Sequence, residues 1–341
     1  VHMSESQPLH RFWPSNNVLL LGGRLMAGPK KSLYWLLFST FLALSNTELF
    51  LAVLTDRSSR LVFNAWSLCV IILFFLWKAA LTEPGIVPRN LKEDPEEKVP
   101  FVDWKCSTGH VLRLKYCLTC NFYKSENVGH CRTCDNCVVD LDHHCWWTGN
   151  CIGPRNIVPF YFFLFVTTYT LFKHISWSLS ALYWEGFSLT VVGFLIYSLG
   201  ILSGAGGTLL RQMCCLARGI TVRDYHKALK DGRNIYFWAR SGQCWCCETC
   251  WAPFLADLLR TILGPHLKSR VPDLTVKGQS DTLQTAFEEV VEPPSLMILA
   301  PRRVQGVSAH VTPHMFNGLE YGGDYGQGGC PEAEGNPVFD V

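Results

Sequence analysis

Two sets of cysteine and histidine in this sequence share one spacing. Cys117, Cys120, His130 and Cys137 read C-x2-C-x9-H-x6-C, and Cys131, Cys134, His144 and Cys151 repeat the same spacing fourteen residues later. Each set offers three thiolates and one imidazole, which is a complete tetrahedral shell for zinc. A complete shell leaves no open position for water, so two structural zinc ions are expected, not a catalytic one. Metal ligation contributes roughly 10–16 kcal/mol of folding free energy in small zinc modules. The segment carries few large apolar residues and needs that support.

Asp142, His143 and Cys145 are left over once both shells are filled. A free thiol has a pKa of about 8.5, so only a few per cent is thiolate at neutral pH. A neighbouring base changes that: His143 takes the proton, and Asp142 holds its imidazole in the required tautomer. The arrangement is nucleophile, base and orienter. The competing reading, Cys145 as a spare or alternative zinc ligand, stays open at this point. Cys106 and His110 fit neither set and receive no role.

These residues must be positioned by a chain that is strongly apolar in blocks. Hydrophobic residues make up 48% and charged residues 17% of the 341, and the net charge of +2 gives no global pull towards nucleic acid. Four apolar stretches, over 33–54, 61–82, 158–180 and 187–210, each approach the ~20 residues a helix needs to cross a bilayer. Tyr34, Trp35, Trp77, Trp177 and Trp184 sit near their ends, as interfacial aromatics do. Lys and Arg concentrate before the first stretch, between the second and third, and after the fourth. The positive-inside rule then puts both termini and the long middle loop in the cytosol. Asn46, Glu48, Lys173 and His174 lie within stretches. A charge at the midplane costs roughly 2.5–3.5 kcal/mol on insertion scales, so these side chains are expected to face the bundle, a cavity or an interface, with snorkelling near a helix end the other reading for Lys78 and Lys173.

The expected organisation is an α-helical polytopic membrane protein with four transmembrane helices and a cytosolic two-zinc Cys-rich domain, 91–156, between helices 2 and 3. A cytosolic segment 1–32 precedes it, with no cleavable signal peptide. A cytosolic region 211–264 and a mostly disordered Gly- and Pro-rich tail, 265–341, follow. Sixteen cysteines in so long and apolar a chain favour a reducing compartment over a secreted disulfide scaffold. A nucleophile tethered between two spans sits at the cytosolic membrane face. The natural electrophile there is a lipid-tailed thioester, its chain entering the bundle while its head group stays in water.

At Asp142-His143-His144-Cys145 the sequence resembles the Asp-His-His-Cys (DHHC) protein S-acyltransferases. The likeness extends through Glu83-Pro84-Gly85, Asn150-Cys151-Ile152-Gly153, Arg155-Asn156 and Phe160. Asn17, Leu21-Gly22-Gly23-Arg24 and Leu114-Lys115-Tyr116-Cys117 are similar to the subgroup with the yeast and mammalian Ras acyltransferases and their plant relatives. Cys246, Cys247, Cys250, Asn234 and Tyr236 resemble that subgroup's C-terminal region. The resemblance implies ping-pong transfer of a long-chain acyl group from acyl-CoA (palmitoyl-CoA) to Cys145, then to cysteines of membrane-associated proteins. It implies His143 as base, Asp142 as its orienter, His144 as zinc ligand, and acyl-CoA contacts at Lys124, Arg132, Trp147 and Asn156. An accessory subunit and a Golgi, endoplasmic reticulum or plasma membrane setting are further implications.

The sequence departs from the family pattern at several points. Trp146 follows the motif cysteine in place of Pro, Tyr123-Lys124-Ser125-Glu126 replaces an arginine-rich run, and Thr221-Val222-Arg223-Asp224 stands for Thr-Thr-x-Glu. Cys214, Cys215 and the cluster Cys244, Cys246, Cys247 and Cys250 are candidates for S-acylation. A third metal site is the other reading of that cluster. Two further classes compete with the transferase: a membrane-anchored zinc module of RING-ligase type, which would need a closing Cys-x-x-Cys pair that the two ligand sets lack, and a catalytically inactive scaffold. An apolar C-terminal Val341 also allows capture by a PDZ-type domain.

Overall fold

The structure, a computed structural model, describes residues 7–8, 13–54, 58–91, 98–105, 111–232 and 277–278. Cys106, His110, Asn234, Tyr236, the cysteines from 244 to 250 and the tail with Val341 lie outside the described residues.

Four long helices form one bundle: α1 (Lys30–Val53), α2 (Ser59–Leu81), α3 (Ile157–Trp184) and α4 (Leu189–Ala217). Three of them, α1, α2 and α4, are long and apolar enough to cross a membrane. The 28-residue α3 falls short by the same measure, its middle carrying Thr167, Thr168, Thr170, Lys173 and His174. Pro29 opens α1 at its N-cap with an extended backbone. A missing N–H does no harm there, because the first helical amides have no partner anyway. Helix α4 runs seven residues past the end of its apolar stretch at 210, carrying Arg211, Gln212, Cys214 and Cys215 with it.

Two polar residues inside the bundle pair with each other. His174 Nδ1 on α3 meets Asn46 Oδ1 on α1 at 2.8 Å, and the imidazole stacks on Phe50 at 4.0 Å between centroids. The expectation that side chains within the stretches face the bundle holds for these two, since each is buried, and fails for Glu48 and Lys173, which are exposed.

Between α2 and α3 the chain folds into short hairpins. Strand β4 (Ile86–Val87) pairs with β9 (Asn136–Val139), which pairs with β8 (Val128–Cys131). Strands β5 (Phe101–Lys105), β6 (Val111–Cys117) and β7 (Phe122–Lys124) make a second sheet, and β10 (His143–Cys145) with β11 (Asn150–Ile152) a third. Ahead of α1, β2 (Asn17–Leu20) and β3 (Leu25–Pro29) form a hairpin that lies on this domain. A two-residue bridge joins β1 (Gln7–Pro8) to β12 (Lys277–Gly278).

Three of these hairpins are copies of one another. Cys117 pairs with Phe122, Cys131 with Asn136 and Cys145 with Asn150, each fourteen residues after the last. Each turn ends on a left-handed residue, Asn121, Asp135 or Gly149. Asn, Asp and Gly are the residue types that tolerate that conformation.

The hairpin domain is anchored to the bundle by asparagines and one carboxylate. Asn150 Nδ2 donates to Ala80 O at 2.9 Å, and Asn156 Nδ2 donates to Ala79 O at 2.9 Å. Both carbonyls lie in the last turn of α2, where a helix has none of its own amides left to bond. Glu83 accepts from the Gly85 and Ile86 amides and pairs with Arg155. On the far side α5 (Val222–Lys230) docks under the hairpins. Thr221 is its N-cap, accepting from Asp224 N at 3.1 Å and donating to Asp224 Oδ2 at 2.8 Å. The Thr-Val-Arg-Asp departure therefore still builds a capped helix start.

Candidate active site and metal centres

Each four-residue set converges on one point. His130 Nδ1 lies 3.6 Å from Cys117 Sγ, 3.6 Å from Cys120 Sγ and 3.7 Å from Cys137 Sγ. His144 Nδ1 lies 3.7, 3.4 and 3.7 Å from the sulfurs of Cys131, Cys134 and Cys151. Sulfur-to-sulfur distances are 3.6 Å for Cys137 to Cys117 and 3.5 Å for Cys151 to Cys134. A tetrahedron with Zn–S of about 2.3 Å and Zn–N of about 2.0–2.1 Å has edges of about 3.5–3.8 Å. The donor atoms thus already stand near the corners of two zinc tetrahedra, and the donor sets fit the metal.

The outer ring nitrogens have partners too. His144 Nε2 is 3.2 Å from Ser32 Oγ in the first turn of α1, and His130 Nε2 is 3.7 Å from Asp135 Oδ1. Metal-binding histidines are oriented by such contacts on the other nitrogen. Ser32 was not legible in the sequence, being 112 residues away from His144.

Asp142, His143 and Cys145 stand outside both shells. His143 Nδ1 is 2.7 Å from Asp142 Oδ2. An ionised carboxylate only accepts, so Nδ1 carries a proton and Nε2 is left to the Cys145 thiol. Burial alone pushes the His143 imidazolium down, but its hydrogen bonds to Asp142 and Cys145 reverse this and raise its pKa to about 10. Burial pushes the Cys145 thiol up, yet its bonds to His143 and to the Thr148 amide and hydroxyl bring it below the ordinary value. Asp142 behaves likewise: burial raises its pKa, and donors from His143, Gln212 and Val222 carry it below the usual carboxylate range. The arrangement is a thiolate–imidazolium pair backed by a buried carboxylate.

Two residues of this arrangement were missed in the sequence. Thr148 fills, in the third hairpin, the position of the second cysteine of the other two, and the fourteen-residue repeat was the signal for it. Gln212 gave no such signal; it is a lone amide in an apolar helix.

Cys145 is buried in apolar surroundings. It packs in one cluster with Leu36, Ile72, Leu76, Phe160 and Leu164. Ile72, Leu164 and Trp147 of that cluster also line a narrow cavity of about 50 Å³ between the helices. Trp147 reaches the cavity across Gly204 of α4, where an added Cβ would stand 3.3 Å from the indole. The far end is more polar, with Asn46, Thr47, Thr167 and Thr170.

Of the four expected acyl-CoA contacts, only Trp147 faces this cavity. Lys124 donates to Val128 O at 2.8 Å, and burial lowers its ammonium pKa. Arg132 is exposed on the turn of the second hairpin. Asn156 is a correction: it is fully buried, donating to the carbonyls of Ala79, Thr82 and Cys151 and accepting from Gly153 N, so its amide has nothing to offer a ligand. Its place is to tie the hairpins to α2.

Residues 110–229 match the family model described as DHHC palmitoyltransferase. The chain is 33% identical to protein S-acyltransferase 8 of Arabidopsis thaliana, over 52% of this chain and 49% of that one. It is 30% identical to palmitoyltransferase ZDHHC9 of Pongo abelii, over 59% of each. Palmitoyltransferase ZDHHC18 of Mus musculus is 33% identical over 45% of this chain and 44% of its own. The chain thus spans about half the length of the curated relatives it matches. The two zinc-type centres and the Asp–His–Cys arrangement fall inside the stretch, residues 110–229, that is similar to the DHHC palmitoyltransferase family.

Proposed function

We propose that this chain is a membrane protein S-acyltransferase that carries a fatty acyl group on Cys145 and passes it to cysteines of membrane-associated proteins. The observation that carries the reading is that Cys145 lies beside the cavity-lining apolar cluster with His143 and Asp142 lined up behind it, while His144 turns away into a metal shell. Zinc fits both donor sets. When bound it supplies structural cross-links, and no open ligand position is left for it to act on substrate.

The chemistry follows from the protein groups. The Cys145 thiolate attacks the carbonyl carbon of an acyl-CoA thioester. The C–S bond to CoA breaks, and the CoA thiolate takes the proton held by His143. A substrate cysteine then gives its proton to His143 and attacks the Cys145 thioester. The new thioester forms as Cys145 leaves as thiolate. One thioester is exchanged for another in each half, so no outside energy source is needed. Asp142 keeps the imidazole turned towards the sulfur throughout.

All four long helices are read as spans, with Lys30, Lys31, Lys78, Arg211 and Arg218 near the cytosolic ends. α3 is included because it packs against α2 and α4, and Thr168, Thr170, His174 and Ser178 are buried on its inner side. The hairpin domain and both ends of the chain are then cytosolic, in an endomembrane or the plasma membrane. Lys124 and Arg132 remain the basic groups offered to the CoA head, Trp147 the contact nearest the thioester, and an accessory subunit a candidate partner.

The test is labelling in detergent with radiolabelled palmitoyl-CoA followed by neutral hydroxylamine. Label that is released by hydroxylamine and absent from Cys145→Ser is expected. Label that resists hydroxylamine, or that persists in Cys145→Ser, removes Cys145 as the acyl carrier.

A further inference from the structure

We propose that Gln212, on α4, is a positioning residue for acyl transfer, fixing Asp142 so that the carboxylate in turn fixes His143; the inference rests on the transferase reading above. Gln212 is 1% exposed near the C-terminal end of a mostly apolar helix. A buried amide is unfavourable there unless it is hydrogen-bonded. Its Nε2 donates to Asp142 Oδ2 at 2.8 Å, the same oxygen that meets His143 Nδ1 at 2.7 Å. The other oxygen, Oδ1, accepts from Val222 N at 2.9 Å, and the Asp142 carbonyl accepts from Arg223 N at 3.0 Å.

These contacts leave the carboxylate no freedom. Val222 N holds one oxygen from the start of α5, and Gln212 holds the other from the end of α4. Without Gln212 the only group on Oδ2 is His143 itself. The carboxylate could then turn about its Cβ–Cγ bond with Val222 as the pivot, and the imidazole would turn with it. A catalytic base contributes fully only when held within hydrogen-bond reach of its proton.

Helix α4 has a second duty along the same face. Ile201 and Ala205 line the cavity, and Gln212 lies seven residues beyond Ala205, two turns or about 10 Å along the axis. One rigid helix thus shapes the wall of the cavity and holds the orienter of the base.

The test uses the full chain in detergent, with single-turnover acylation by labelled palmitoyl-CoA over a range of donor concentrations. Gln212→Met keeps the volume and removes the donor. Its rate constant at saturating donor is expected to fall about 10- to 100-fold, a share of the 10²- to 10⁴-fold a positioned base contributes. The half-saturating concentration should stay within about twofold, and zinc content should not change. Gln212→His, which keeps a ring N–H, is expected to recover most of the rate. Added to His143→Ala, Gln212→Met should cost nothing further, because its effect passes through His143.

Three results overturn the inference: a Gln212→Met rate equal to native, the same fractional loss in the His143→Ala background, or loss of zinc in both the Met and His variants. The last would make Gln212 a purely structural residue. A native chain that takes no hydroxylamine-labile label overturns the transferase reading, and this inference with it. A native chain that labels, with a Gln212→Met variant that labels equally fast, overturns this inference alone.

Discussion

Replacing Asp142 by asparagine isolates the orienting carboxylate with almost no change of shape. Asp142 is 3% exposed and accepts from three N–H groups: His143 Nδ1 and Gln212 Nε2 on Oδ2, and Val222 N on Oδ1. An amide offers one acceptor where the carboxylate has two. With its NH2 towards Val222 it meets a backbone N–H; turned over, it meets both His143 and Gln212. One buried donor left unmatched costs about 1–3 kcal/mol, so the first orientation destabilises the protein by that amount. In the second, His143 relieves the clash by moving its proton to Nε2, the nitrogen that faces the thiol. That tautomer cannot take a proton from Cys145.

The expected loss of rate follows from the tautomer. In serine proteases the corresponding change lowers kcat by about 10⁴-fold. A thiol ionises more readily than a serine hydroxyl and depends less on its base, so Asp142→Asn here is expected to slow single-turnover acylation by about 10²- to 10⁴-fold. The assay is quenched mixing with labelled palmitoyl-CoA, alongside zinc analysis and thermal unfolding. Zinc should remain at two ions per chain, since Asp142 lies in neither donor set. An Asp142→Asn variant that acylates within about threefold of native, a barrier change under about 0.7 kcal/mol, refutes the orienting role.

The thiolate–imidazolium pair predicts the pH dependence of alkylation. The Cys145 pKa is depressed, so thiolate is present above that depressed value and is lost only as pH falls through it. Iodoacetamide reactivity should therefore persist to lower pH in the native chain than in His143→Ala, where burial acts on the thiol without the opposing imidazolium and the thiolate is lost from a higher pH. Removing a ligand differs from removing the nucleophile: Cys145→Ser should keep two zinc ions, and Cys134→Ser should bind one. The second variant should also lose much of the cooperative melting of the hairpins, given the roughly 10–16 kcal/mol that such sites contribute in small modules. Gly28→Ala tests the clasp of the N-terminal hairpin, because its Cβ would fall 1.7 Å from Gly149 O, a backbone atom. A loss of about 2–4 kcal/mol in unfolding free energy is expected, with the catalytic hairpin the part displaced.

What could be read in the sequence was what is local. The two donor sets, the leftover Asp142, His143 and Cys145, and the four apolar stretches are all patterns of spacing within a few tens of residues. Ser32 on His144, Gln212 and Val222 on Asp142, and Arg223 on the carbonyls of Glu126 and Asn127 are contacts between segments 70 or more residues apart. They carry no period, and each depends on how α1, α4 and α5 seat against the hairpins. Asn156 shows the opposite error: its place in a family motif suggested a ligand contact, and its hydrogen bonds show a joint between hairpin and helix. A motif residue can be needed for the fold alone, and only the partners of its polar atoms tell the two cases apart.

The fourteen-residue repeat explains why the thiol of Cys145 is available at all. Cys117, Cys131 and Cys145 occupy one position in three registered hairpins. In the first two, the chain returns a second cysteine at Cys120 and Cys134, a histidine at His130 and His144, and a last cysteine at Cys137 and Cys151. Continued once more, the same positions fall on Thr148, Val158 and Phe165. The last two lie in α3, because by then the chain has turned into the bundle. The third hairpin therefore presents a knuckle cysteine with no metal partners, at the point where hairpins give way to membrane-type helix. In the second knuckle Cys134 N donates to Cys131 Sγ at 3.4 Å; in the third, Thr148 N does the same for Cys145. A turn that elsewhere steadies sulfur for zinc here steadies it for His143, and α3, which displaced the missing ligands, supplies Phe160 and Leu164 to the apolar cluster that holds Cys145 instead.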